Sequence, residues 1–115
     1  MKDNYREILE GIKSNVRDGK YWFTIHALER RIERNISKIE IEDVILNGEI
    51  IKEYPQDKYL PSCLVLGYTK EKRPLHIQVS CDPAWVITCY DPSEKPGEWS
   101  SDFKHRRVIN EVCCM

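Results

Sequence analysis

The segment "FTIHALERRIERNIS", Phe23 to Ser37, carries a histidine followed at intervals of four by two arginines: His26, Arg30 and Arg34. An imidazole can move a proton near neutral pH, and a guanidinium fork matches a phosphate bidentately, so the set suits an anionic ligand. On a helical wheel with His26 at zero, Arg30 falls at about 40° and Arg34 at about 80°, whereas Ile25, Leu28 and Ile32 fall between about 200° and 260°. The basic stripe therefore opposes an apolar one. The apolar stripe is expected to face the core, leaving His26 at the surface beside two guanidinium groups. The same pattern also fits an ordinary solvated face held by pairs at i,i+4.

A second histidine lies in "LHIQVSCDPAWVITCY". Alternation puts Leu75, Ile77, Val79 and Cys81 on one side of a strand and His76, Gln78 and Ser80 on the other. A two-residue Asp-Pro loop pairing Cys81 with Ala84 mixes His76 with Trp85, Ile87 and Cys89 on one face. A three-residue loop instead sets Cys81 opposite Trp85, Val79 opposite Ile87 and Ile77 opposite Cys89, giving one wholly apolar face, and this register is expected. The other face then pairs His76 with Tyr90 and Gln78 with Thr88, groups that can transfer protons or simply sit on a solvated sheet. Farther on, "KHRR" at 104–107 with Trp99 and Phe103 nearby combines cations with aromatic faces, as single-stranded nucleic acid requires.

The elements that must position these residues are marked in the sequence. Tyr5, Ile8, Leu9, Ile12 and Val16 follow helical spacing between Asp3 and Arg17, and "DGK" ends that helix. After the apolar run "YWFTI", Thr24 is a plausible N-cap for a second helix reaching Arg34 or Asn35. Ser37 and Glu40 form a capping box for a third, with Ile36 and Ile41 as its hydrophobic staple and "NG" at 47–48 as its stop. Beyond Glu49 the period becomes two: "EIIKEYP", "SCLVLGYT", "LHIQVSC" and "AWVITCY" read as strands joined by short turns. A short helix from Ser101 would place Val108 and Val112 four apart. The expected fold is α+β, with N-terminal helices on one face of a small antiparallel sheet of three to four strands.

One domain spanning 1–115 is expected, because 115 residues suffice for a single core and not for two. Eighteen basic and nineteen acidic residues give a net charge of −1, so any anion binding must be local. No run has the length of a signal peptide or a membrane span, which makes the cytoplasm the expected location. Five cysteines without CxxC spacing argue against a disulfide framework and a zinc knuckle; Cys63, Cys81 and Cys89 read as small buried hydrophobes, and Cys113 and Cys114 as an exposed tail. No metal or cofactor is expected, and the oligomeric state is open.

The combination of "TIHALERRIERNIS", "EDVILNGEIIKEYP", "LHIQV", "WVITCYDPSEKPGEW" and "FKHRR" resembles the domain-of-unknown-function family 4258 over residues 22–107. That resemblance implies a layout similar to RelE-like and motility-quorum-sensing-regulator-like toxins, with an antitoxin protein encoded nearby as partner. The family's activity is largely uncharacterised, and the residues themselves suit a metal-independent endoribonuclease in which a ribose 2′-OH attacks the adjacent phosphate. His26, His76 and Tyr90 would then supply acid–base chemistry, Arg30, Arg34, Arg106 and Arg107 would hold the phosphate, and Trp99 would contact the ligand. Two alternatives use the same surface: a non-catalytic RNA- or protein-binding module, and an interaction protein anchored by Trp22 and Trp99. The acidic balance and the carboxylates of "DPSEKPGE" depart from a basic nuclease.

Overall fold

The computed structural model describes residues 2–56, 60–81, 83–95 and 97–107. The chain runs α1 (Lys2–Arg17), β1 (Tyr21–Phe23), α2 (Ile25–Glu33), α3 (Lys38–Asn47), β2 (Glu49–Tyr54), β3 (Ser62–Tyr68), β4 (Pro74–Ser80), β5 (Ala84–Tyr90) and a 3-10 turn, Pro92–Glu94. Among the described residues it is an α+β protein with three helices and five strands, the strands in the order β1-β5-β4-β3-β2.

Helix ends follow the side chains that cap them. The Thr24 hydroxyl accepts the Ala27 N–H at 3.0 Å and donates to the Ile87 carbonyl at 3.1 Å, so one residue both starts α2 and ties it to β5. Ser37 and Glu40 form the complete capping box of α3. Gly48 ends α3 for a reason other than a left-handed stop: its backbone is extended, with φ −95°. A Cβ there would run into the Val44 and Leu66 carbonyl oxygens, and one at Gly67 would also meet Val44. The two glycines let α3 lie directly on β3.

The sheet differs from the expected antiparallel meander. The run "YWF" is a short strand, β1, lying parallel to β5 in the register Tyr21↔Ala84 to Phe23↔Val86, which makes the sheet mixed. Three residues carry too little alternation to distinguish a strand from a helix lead-in. The pairs His76↔Tyr90, Ile77↔Cys89 and Gln78↔Thr88 form as expected, but by another route. A bulge at Ile87 shifts the ladder to Val79↔Val86, so Trp85 leaves the core side and stacks near Trp22, ring centroids 5.7 Å apart. Ser80 fixes this end by accepting the Trp85 N–H at 2.9 Å and donating to the Pro83 carbonyl at 2.7 Å.

The core lies between the helices and one sheet face: Ile12, Ala27, Ile41, Val44 and Ile45 meet Val65, Ile77, Val79, Val86 and Cys89. Cys63 and Cys89 are buried thiols and Cys81 is partly buried. The opposite face, bearing Leu64, Leu66, His76, Gln78 and Tyr90, is crossed by residues 97–107, a strap closed by the Trp99↔Arg106 bridge. The strap holds turns and bends where a helix from Ser101 was expected; Val108, Val112, Cys113 and Cys114 lie outside the described residues. Among the described residues no helix is long and apolar enough to cross a membrane.

The largest departure concerns α2. Its stripes do oppose each other, but the helix is turned the other way: Ala27 is the buried residue, while Ile25, Leu28 and Ile32 are 76 %, 40 % and 73 % exposed. The small Ala27 allows close approach to β5, and the arginine stems on the same side cover apolar surface while keeping their charged ends near polar atoms. Arg31 lies over the Phe23 ring at 5.7 Å, and Arg34 reaches the β5 edge.

Candidate functional site

Beyond Val86, β1 no longer covers β5, and α2 takes over that edge. Arg34 Nη1 donates to the Cys89 carbonyl at 2.7 Å, and the bond brings its guanidinium to the end of the strand. Arg73 holds this corner. Its Nη2 donates to Arg34 O at 3.1 Å and its Nη1 to Asn35 O at 3.0 Å, satisfying carbonyls left open where α2 ends, and its Nε donates to Asp91 Oδ2 at 3.1 Å. Asn35 has φ 54°, the left-handed turn that stops the helix. Asp91 also accepts the Ser93 N–H at 2.8 Å and the Ser93 hydroxyl at 2.6 Å, which starts the 3-10 turn.

The chain turning here encloses a cleft of about 160 Å³ lined by Arg34, Tyr90, Asp91, Pro92, Glu94, Lys95, Glu98, Trp99 and Arg106. Three cations and three carboxylates share it, yet their pairings are unequal. Asp91 belongs to Arg73, with Glu94 3.8 Å from the same guanidinium, and Arg106 sits 3.5 Å from Glu98. Among the described residues no carboxylate pairs with Arg34 or Lys95. The lining is thus balanced in formal charge, but Arg34 and Lys95 are left without a carboxylate partner to compete with an anion, and Tyr90 stands in the wall.

Behind that wall lies His76, fully buried. Its Nε2 is 2.8 Å from the Phe103 carbonyl and its Nδ1 3.2 Å from the Tyr90 hydroxyl. Since a carbonyl can only accept, Nε2 carries the proton and Nδ1 accepts from Tyr90. Trp99 closes the site from above, its ring steeply inclined to that of His76 with centroids 4.4 Å apart, and Arg106 lies over the indole at 4.7 Å. Burial pulls His76 down to about 4, outweighing the Phe103 bond, and raises Tyr90 to about 12. Both shifts oppose moving the phenol proton to the imidazole. In this arrangement Tyr90 is a hydrogen-bond donor rather than a base.

The residues singled out in the sequence thus divide. Arg34, Tyr90, Trp99 and Arg106 line one cleft. His76 joins them from behind, through Tyr90 and Trp99. His26 is exposed near the start of α2, about 12 Å along the helix from Arg34 at 1.5 Å per residue, and is not in the cleft lining. Arg30 is paired with Glu33 at 2.8 Å, and Arg107 is exposed with its N–H on Glu98 O. Trp99 is only 8 % exposed, so little of the indole is left for a ligand to stack on. Sequence reasoning missed Arg73, which is one of several charges in the turn "KEKRP" and has no signal of its own. The "DPSEKPGE" carboxylates, a departure from a basic nuclease in the sequence, stand in the cleft itself as Asp91, Glu94 and Glu98.

The sequence pattern described as Domain of unknown function (DUF4258) matches residues 23–91, more than half of the 115. The chain belongs to this family. The match is shorter than the resemblance over 22–107 and stops at Asp91, so Arg34, Tyr90 and His76 fall inside the DUF4258 region whereas Trp99 and Arg106 fall outside it. No curated protein and no solved structure matches the chain.

Proposed function

We propose that this DUF4258 protein binds single-stranded RNA through its backbone, seating one phosphate in the cleft between Arg34 and Arg106. The observation that carries the reading is that Arg34, Lys95 and Arg106 line one cleft with Tyr90 in its wall, Arg34 being free of any carboxylate among the described residues. Guanidinium groups suit phosphate oxygens, and a cleft of about 160 Å³ takes one phosphate group rather than a duplex. Anisotropy titration of a mixed-sequence RNA tests it. Arg34→Ala and Arg106→Ala should each weaken binding about tenfold and flatten the salt dependence by a slope of about 0.7, the single-strand value per phosphate contact. His26→Ala should bind as the wild type does; unchanged binding in both arginine variants would remove the proposal.

A second reading, a metal-independent endoribonuclease of toxin type with a RelE-like layout and an antitoxin partner, rests on the Tyr90–His76–Phe103 chain of hydrogen bonds. To act as an acid, the Tyr90 hydroxyl would turn from His76 Nδ1 and give its proton to the leaving 5′-oxygen, while solvent water takes the proton of the attacking 2′-OH and later returns one to the phenolate. Incubation with RNA in EDTA separates this reading from binding alone. Product ending in a 2′,3′-cyclic phosphate, lost in Tyr90→Phe with RNA still bound, supports cleavage; intact RNA across pH 5 to 9 leaves binding as the activity.

A further inference from the structure

Ile25, Leu28 and Ile32 form an unpartnered apolar stripe on the outward side of α2. They fall within an arc of about 60° on the helical wheel, and no charged residue of α2 falls inside that arc. We infer that this stripe is the contact face of a homodimer in which two copies of α2 pack side by side, in parallel, about a two-fold axis along the helices.

Three observations favour a second copy in that alignment. The flanks of the stripe have opposite charge, with exposed Glu29 on one side and Arg31 on the other. A two-fold axis parallel to the helices sets each Glu29 flank against the Arg31 flank of the second copy, whereas an antiparallel pair opposes Glu29 to Glu29. Arg31 is also without a carboxylate partner among the described residues, and its Nη1 reaches the Ile36 carbonyl only at 3.5 Å. Glu29 has no ion-pair partner among the described residues, so each copy carries what the other lacks. Finally, Ile32 continues into a groove of about 450 Å³ lined by Arg31, Asn35, Ile36, Ser37, Glu40 and Arg73. Parallel packing brings both grooves to the same end and adds surface beyond three side chains, as an interface approaching about 800 Å² per partner requires.

The net charge of −1 leaves little repulsion between copies. The dimer does not depend on what the cleft binds, because Arg34 lies on the inward side of the same helix.

Sedimentation velocity on the whole protein across about a hundredfold concentration range tests the inference by mass action. A monomer–dimer equilibrium is expected. Ile32→Lys, at a site already exposed, should keep the circular dichroism of the wild type and abolish dimerisation. Glu29→Lys should weaken it about tenfold, while His26→Lys, which adds a charge outside the stripe, should leave it unchanged. A wild type that stays monomeric throughout would overturn the inference and assign the stripe to a different partner. A dimer that survives Ile32→Lys would place the contact elsewhere, and one strengthened by Glu29→Lys would refute the parallel alignment.

Discussion

The two faces of the sheet are both covered, but by different chemistry. The helix side buries Val65, Ile77, Val79, Val86 and Cys89 against Ile41, Val44 and Ile45, with apolar atoms on both sides. The strap side buries His76, Ser80 and Asp91 together with Leu64 and Leu66, and each of those polar groups has a named hydrogen-bond partner. Apolar packing is non-directional and tolerates neighbours of similar volume. A buried imidazole, by contrast, demands a donor and an acceptor at fixed places, because leaving either unmade carries a desolvation penalty. The first face supplies stability and the second fixes where the cleft residues point.

Substitutions can sharpen that contrast. The largest loss is expected on the helix side, where Ile77→Ala should cost about 2–5 kcal/mol in denaturant unfolding and leave a cavity the helices only partly fill. On the strap side the sensitivity should be to pH. The folded pKa of His76 is lowered from 6.5 to about 4, so the folded state resists taking up a proton that the unfolded chain accepts. Its stabilising contribution is present above about pH 6.5 and is lost as pH falls toward 4, amounting to at most about 3 kcal/mol. Stability measured between pH 4 and 8 should show this slope, and His76→Gln should flatten it.

Smaller effects follow in order. Tyr90→Phe keeps the ring but removes the donor to Nδ1, which should cost about 1–2 kcal/mol. Lys104→Ala breaks the exposed pair with Glu49, 3.3 Å apart, and should change stability by less than about 0.5 kcal/mol. If the lysine variant proved the more harmful, exposed charge rather than the buried histidine would be what fastens the strap.

Local signals were legible where one side chain decides one structure. Thr24, Ser37 and Glu40 announce their helix starts because a cap satisfies backbone donors without help from the rest of the chain. The His76↔Tyr90 and Gln78↔Thr88 pairs could be read because alternation on β4 leaves few registers. The bulge at Ile87 could not, since an extra residue in a strand changes no composition. It moves the partner of Val79 from Ile87 to Val86, which keeps both valines in the core beside Ile77 and Cys89.

The orientation of α2 was illegible for a stronger reason. A wheel reports two opposed stripes, and the usual inference sends the apolar one inward. Here the contact is made by Ala27 and by arginine stems, with Arg34 bound to the β5 edge and Arg73 closing the helix end. Those bonds join residues 55 and 39 positions apart, so no window along the sequence contains them. The cleft was half legible: Arg34, Tyr90 and Arg106 stood out by type, but neither their convergence nor the distance of His26 from it follows from spacing.

The cleft between Arg34 and Arg106 is proposed to receive an RNA phosphate. The most direct test is to follow the arginine Nε–Hε signals by NMR while a short single-stranded RNA is titrated, with inorganic phosphate as a second probe. The account predicts saturable shifts at Arg34 and Arg106 with both probes, larger for RNA, and none at Arg30 or at the His26 ring. Shifts confined to the His26–Arg30 side of α2, or no shift at Arg34 at RNA concentrations that give a complex, would contradict it.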